Sequence, residues 1–165
     1  MKSLKPEPLT AAAFAPFGDV IEMRDDEAKD MNYGMAKRFH ALAKVDASAE
    51  GGFPIISLVH SKKYAMPQQV KLIERHPLGS QAFIPVDNTP FILLVGRPGD
   101  GIESNHLRAF VTNGSQGINY HTGVWHGLLL TPFGEMTFIC VDRDGAGDNC
   151  EELYFEPDDQ FTLSI

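Results

Sequence analysis

From residue 54 onward, glycine, proline, asparagine and aspartate cut the chain into short apolar runs, and this punctuation constrains the fold more than any other feature. The runs Pro54–His60, Gln69–Glu74, Gln81–Val86, Phe91–Gly96, Arg108–Thr112, Gly117–Tyr120, Glu135–Asp142, Glu152–Phe155 and Phe161–Ile165 read as strands. Ile55-Ile56-Ser57-Leu58-Val59 and Met136-Thr137-Phe138-Ile139-Cys140-Val141 are too short for helices and too rich in β-branched and aromatic residues to prefer one. Helix is expected only at 10–15, capped by Thr10 and stopped by Pro16, and at 101–107. The charge run at 22–32 reads as a solvated loop, with a further strand at Arg38-Phe39-His40-Ala41-Leu42. Phe39, Phe53 and Phe83 are assigned to the core. Eight or more short strands without a long helix imply a sandwich or barrel, with a jelly roll the natural size match.

Composition narrows the partners. A chain of 165 residues is expected to form a single domain, 1–165. Its net charge of −8 argues against a nucleic-acid partner, which needs clustered Lys and Arg to displace counterions. No run approaches the about 18 apolar residues of a membrane span. The N-terminus lacks the apolar stretch of a signal peptide, and two cysteines, Cys140 and Cys150, make no disulfide framework. A reducing, cytoplasmic setting is expected.

Two polar clusters interrupt the strand pattern. In Glu74-Arg75-His76 the outer residues share a strand face, Pro77 and Gly79 turn the chain, and Gln81 opens the next strand. A carboxylate, an imidazole and an amide then converge, an O and N donor mix that suits a divalent transition metal. The absence of a thiolate argues against structural zinc. The second cluster, Gln116-Gly117-Ile118-Asn119-Tyr120-His121-Thr122-Gly123-Val124-Trp125-His126, holds the only tryptophan, and its Gly123 turn delivers His126 onto a strand. Gly145-x-Gly147 lacks the third glycine and following helix of a dinucleotide site. Asp142-x-Asp144 imitates a calcium loop, but Ala146 and Leu153 fall where oxygens are needed. Both read as an acidic, Gly-rich turn. His40, His60 and His106 have no partner at ligand spacing.

Glu74-x-His76-x4-Gln81 resembles the first cupin motif, with Glu for its first His and Gln for its Glu; His121-x-Gly123-x-x-His126 resembles the second, with His121 in the proline position. Longer strings, from Glu74 to Pro85, Asn119 to His126 and Val141 to Glu152, are similar to the ureidoglycolate lyase family, as are Phe14-x-Pro16-Phe17-Gly18-Asp19-Val20-Ile21 and Asn32-x-Gly34-x-x-x-Arg38. The resemblance spans nearly the whole chain. It implies an all-β, cupin-type jelly-roll or double-stranded β-helix barrel with one or two short helices. It also implies a homodimer that splits ureidoglycolate into glyoxylate and urea in allantoin and purine catabolism, with nickel as cofactor. The expected ligands are His76, His126, Glu74 and Gln81, the neutral amide being the weakest.

Ureidoglycolate is a carbinolamide, and its cleavage needs a base for the hydroxyl, an acid for the departing nitrogen and a cation for the carboxylate. His121, Tyr120 and, if it is not a ligand, Glu74 are the candidate proton carriers. Arg38 and Arg143 are candidates for gripping the carboxylate, and Asn119, Trp125 and Asn32 are expected around the substrate. The rival reading is a cupin that binds a small acid or sugar without turning it over, since fold does not fix function. A metal-dependent oxygenase would need a stronger His and carboxylate ligand set.

Overall fold

In the computed structural model, which describes residues 2–165, strands dominate and the one α-helix is a single turn, Ala11–Phe14. Thr10 caps it, its hydroxyl accepting from the Ala13 amide at 3.2 Å, as the sequence predicts. The two largest sheets face each other. One has the order Gly18–Ile21, Gly117–Tyr120, Gln81–Pro85, Met136–Asp144, Phe53–Ser61; the other runs Glu151–Tyr154, Leu72–Arg75, Trp125–His126, Ile92–Gly96, Arg108–Val111, Glu7–Pro8. This is the expected all-β, cupin-type barrel.

Alternation along the strands sorts their side chains between two cores. Phe83, Leu93, Val95, Phe110, Ile118, Tyr120, Phe138 and Cys140 meet in the barrel interior, sealed by Phe14 and Phe17. Ile73, Ile92, Leu94, Trp125 and Leu130 point the opposite way and pack with Val70, Phe155, Phe161 and Leu163. A three-stranded sheet, Lys2–Leu4, Phe161–Leu163 and Gln68–Val70, contributes to this second core. Ile92–Gly96 is therefore buried on both faces, which explains its unbroken apolar sequence.

Several expectations are corrected. The run at 69–74 divides between two sheets, as Gln68–Val70 and Leu72–Arg75. The region 101–107 forms only the 3-10 turn Ser104–His106. Residues 22–32 are not all loop: Ala28–Met31 pairs with Ala36–Phe39 in a two-stranded ribbon, and its polar sequence reflects exposure on both faces. Phe53 is exposed at one end of its strand, whereas Phe83 is buried.

Candidate metal centre

Three donors converge inside the barrel. His126 lies opposite Glu74 in the antiparallel pairing of Trp125–His126 with Leu72–Arg75, and a carboxylate oxygen of Glu74 stands 3.8 Å from His126 Nδ1. The turn after Arg75 brings His76 beside them, its ring centroid 5.1 Å from that of His126. One ligand atom from each of Glu74, His76 and His126 lies within 4.8 Å of the others. Glu74 and His76 thus share a direction, as the spacing predicts. Arg75 turns outward to pair with Glu151 at 2.6 Å and cover the Trp125 ring.

The imidazoles are set by backbone groups. His76 Nδ1 donates to the Asn149 carbonyl at 2.6 Å, and the Asn149 side chain accepts from the Leu78 amide at 2.8 Å. The Gly123 amide donates to the His76 carbonyl at 2.8 Å, with Gly123 in the left-handed region at φ 75. Asn149 and Gly123 therefore clamp the His76 turn from both sides. With its proton on Nδ1, His76 presents the lone pair of Nε2. Nε2 of His76 and Nε2 of His126 are both buried without a hydrogen-bond partner, which is costly unless something else satisfies them. Burial, reinforced by His76, holds the His126 pKa down at about 3, with the Gly127 carbonyl opposing weakly. His126 is neutral at pH 7 and able to ligate. These orphaned nitrogens and the neighbouring carboxylate fit a divalent metal ion.

Tyr120 lies flat against His126, ring centroids 4.5 Å apart and planes within 2°. Burial and the Glu74 charge push its hydroxyl pKa up, so it keeps its proton. Gln81 is the register partner of Tyr120, and its Nε2 donates to Asp142 Oδ2 at 3.2 Å. Asp142 ends the expected strand Glu135–Asp142 without being a site candidate there; the strand runs on as Met136–Asp144, so the acidic turn begins later than the sequence suggests. The alternation Phe138, Cys140, Asp142 is the signal that identifies its inward face, since the first two lie in the barrel core. Burial, reinforced by the Asp142 carboxylate, pushes the Cys140 thiol up to about 12.

Other sequence candidates lie elsewhere. Trp125, adjacent to His126 and so on the opposite strand face, is buried in the second core with Nε1 donating to the Gly99 carbonyl at 3.0 Å. Asn119 similarly faces away from Tyr120, and its Nδ2 bonds Asp19 at 3.1 Å and the Lys44 carbonyl at 3.3 Å. His121 pairs with the same Asp19 oxygen at 3.1 Å and is 48% exposed, in a surface pocket with Lys44, Asp46 and Thr122. Arg143 is buried, and its guanidinium donates to the carbonyls of Ala49 and Ala146. Those bonds pin the loop around Ala49. Asn32 and Arg38 are exposed on the ribbon.

Fold and site together define a class, a cupin-type barrel whose interior carries a Glu-His-His trio fit for a divalent metal. Comparison with known proteins narrows it. A family model described as "Ureidoglycolate lyase" matches residues 1–162. The ureidoglycolate lyase of Pseudomonas fluorescens (strain SBW25) is 49% identical over 164 residues, covering 99% of this chain and 98% of its own. That of Pseudomonas syringae pv. tomato is 48% identical, covering 99% and 96%, and that of Azotobacter vinelandii 44%, covering 99% and 98%. The chain belongs to the ureidoglycolate lyase family.

Proposed function

We propose that this protein cleaves ureidoglycolate to glyoxylate and urea, in allantoin and purine catabolism, as a cytoplasmic enzyme of one cupin domain. The observation that carries this reading is the Glu74-His76-His126 trio with its two buried, unpartnered imidazole nitrogens, in a chain matched across its length by lyases of that name. Glu74, His76 and His126 are the residues to hold a divalent metal, nickel by family resemblance. Gln81 is a fourth, weaker donor. Its amide nitrogen is committed to Asp142, which leaves its carbonyl oxygen free to turn toward the trio.

When bound, a divalent ion supplies Lewis acidity that lowers the pKa of a nearby hydroxyl. The protein's own groups do the rest. The Glu74 carboxylate has two oxygens, one to hold the ion and the other to accept the proton of the substrate hydroxyl, so that the C–O bond becomes a carbonyl as the C–N bond to urea breaks. Tyr120, held protonated beside His126, donates to the departing nitrogen. The proton lost from the hydroxyl is thereby matched by one gained on urea, and each carrier is reset by exchange with the other or with solvent. Arg38 on the exposed ribbon is the remaining candidate for the carboxylate, since the Arg143 donors serve backbone carbonyls.

A homodimer accords with the outer face of the five-stranded sheet. Phe53–Ser61 is its edge strand, and Ile56 and Leu58 are 77% and 73% exposed there. An apolar sheet edge of this kind is normally covered. The function is tested by incubating purified protein with ureidoglycolate and following urea and glyoxylate, with and without added nickel or manganese. Product above the spontaneous rate is expected; its absence under every metal condition overturns the reading.

A further inference from the structure

We infer that Asp142 is a substrate-contacting residue, its free carboxylate oxygen accepting an N–H of the ureido group. This inference rests on the urea-releasing reaction proposed above. Asp142 lies on the inward face of its strand, two residues beyond Cys140, which is part of the barrel core. One of its oxygens is fixed: Oδ2 accepts from Gln81 Nε2 at 3.2 Å. The other, Oδ1, is buried and has no hydrogen-bond partner; the further donor beside the carboxylate is the Cys140 thiol, a weak one. A buried carboxylate oxygen without a donor is expensive, and its natural complement is a neutral N–H donor brought by a ligand.

Position favours the ureido end of the substrate. Gln81 lies opposite Tyr120 in the sheet, and Tyr120 stacks on His126 at 4.5 Å. The interior therefore runs from Glu74 and His126, through Tyr120 and Gln81, to Asp142. A substrate whose hydroxyl sits at the Glu74 end and whose nitrogen leaves past Tyr120 directs its ureido group toward Asp142. Urea offers only N–H donors and one carbonyl, so an anionic acceptor suits it and repels a carboxylate. The same oxygen would orient the substrate by keeping glyoxylate's acid group at the other end. An acceptor on the N–H also raises electron density on the ureido nitrogens, which helps the leaving one take its proton.

The substitution Asp142→Asn separates this role from a structural one. Its amide oxygen still accepts from Gln81, but the group facing the site becomes an NH2 donor, opposed to urea's own donors. The test measures binding of urea alone and of glyoxylate alone to the metal-loaded protein by saturation-transfer NMR titration, beside turnover of ureidoglycolate. A charged hydrogen bond lost without replacement weakens urea binding by about tenfold or more, while glyoxylate binding stays within about twofold. Equal loss for both ligands, no change for either, or no urea binding to the wild type overturns the inference. Selective loss of urea binding in a protein that releases no urea from ureidoglycolate supports the Asp142 site and overturns the proposed reaction instead. If Asp142→Asn does not fold, Asp142→Glu, which keeps the charge but displaces the oxygen, is read by the same comparison.

Discussion

The Tyr120 ring lies parallel to the His126 imidazole at 4.5 Å, which ties the only buried tyrosine of the interior cluster to a metal-ligand candidate. Stacking fixes the plane of the imidazole, and the hydroxyl is kept protonated by burial and by Glu74. Two roles therefore reside in one side chain, and they can be separated. Tyr120→Phe keeps the stack and removes the proton donor. Turnover should fall by about 10²–10⁴, with metal content unchanged; full activity in the variant removes Tyr120 from the proposed chemistry.

His126→Ala should abolish both metal retention and turnover. The trio is reduced to Glu74 and His76, and the truncation opens a space beside Tyr120. Elemental analysis and circular dichroism on the same sample decide the matter: a folded variant that keeps its metal shows that His126 is not a ligand.

Acid should destabilise the metal-free protein through His126. Its folded pKa is about 3, while the unfolded chain titrates near ~6.5. Above ~6.5 both states are neutral and the contribution is fully present; it is lost as pH falls toward 3, because the unfolded state binds a proton that the native state refuses. The loss across this window is on the order of a few kcal/mol. Chemical denaturation of chelator-treated protein at several pH values measures it. His126→Gln should flatten that slope, and an equally steep slope in the variant places the acid sensitivity elsewhere.

Arg143 should matter for stability more than for substrate affinity. Its guanidinium satisfies the Ala49 and Ala146 carbonyls, and its side chain packs against Gly52 and Gly79 so closely that a Cβ on either would collide with it. Arg143→Met leaves those carbonyls unpaired at a cost of about 1–3 kcal/mol. A denaturant midpoint shift with KM nearly unchanged is the expected pattern. A large rise in KM at unaltered stability would restore the substrate-clamp role.

Charge placed on the outer sheet face should separate a dimer. Ile56→Glu with Leu58→Glu adds two carboxylates to exposed positions, so folding is little affected. Light scattering after size-exclusion chromatography should report a dimer for the wild type and a monomer for the variant. An unchanged mass for the variant moves the contact to another surface.

The strands were legible because each depends on local chemistry, apolar alternation ended by Gly, Pro or Asn. The convergence of Glu74 and His76 was equally legible, since it follows from a spacing of two. What misled was adjacency. Asn119 and Tyr120, or Trp125 and His126, are neighbours in sequence, but a strand sends them to opposite faces, so Tyr120 and His126 face the interior and Asn119 and Trp125 do not. The role of Asp142 is not legible for the reverse reason: it ends an expected strand, but its link to Gln81 spans 61 residues, and the acidic run it opens reads as a turn. In the ribbon, the expected strand at 38–42 falls partly on Ala36–Phe39, but its partner Ala28–Met31 is not legible, because a strand exposed on both faces carries no apolar period.

The strand Ile92–Gly96 has a consequence for how the molecule comes apart. Leu93 and Val95 belong to one core and Ile92 and Leu94 to the other, so a single wall separates the two interiors. Neither can loosen without stripping the common strand of half its packing. The two cores should therefore melt as one cooperative unit. The amides of residues 92–96, together with those of their neighbour His126, should be the last to trade hydrogen for deuterium.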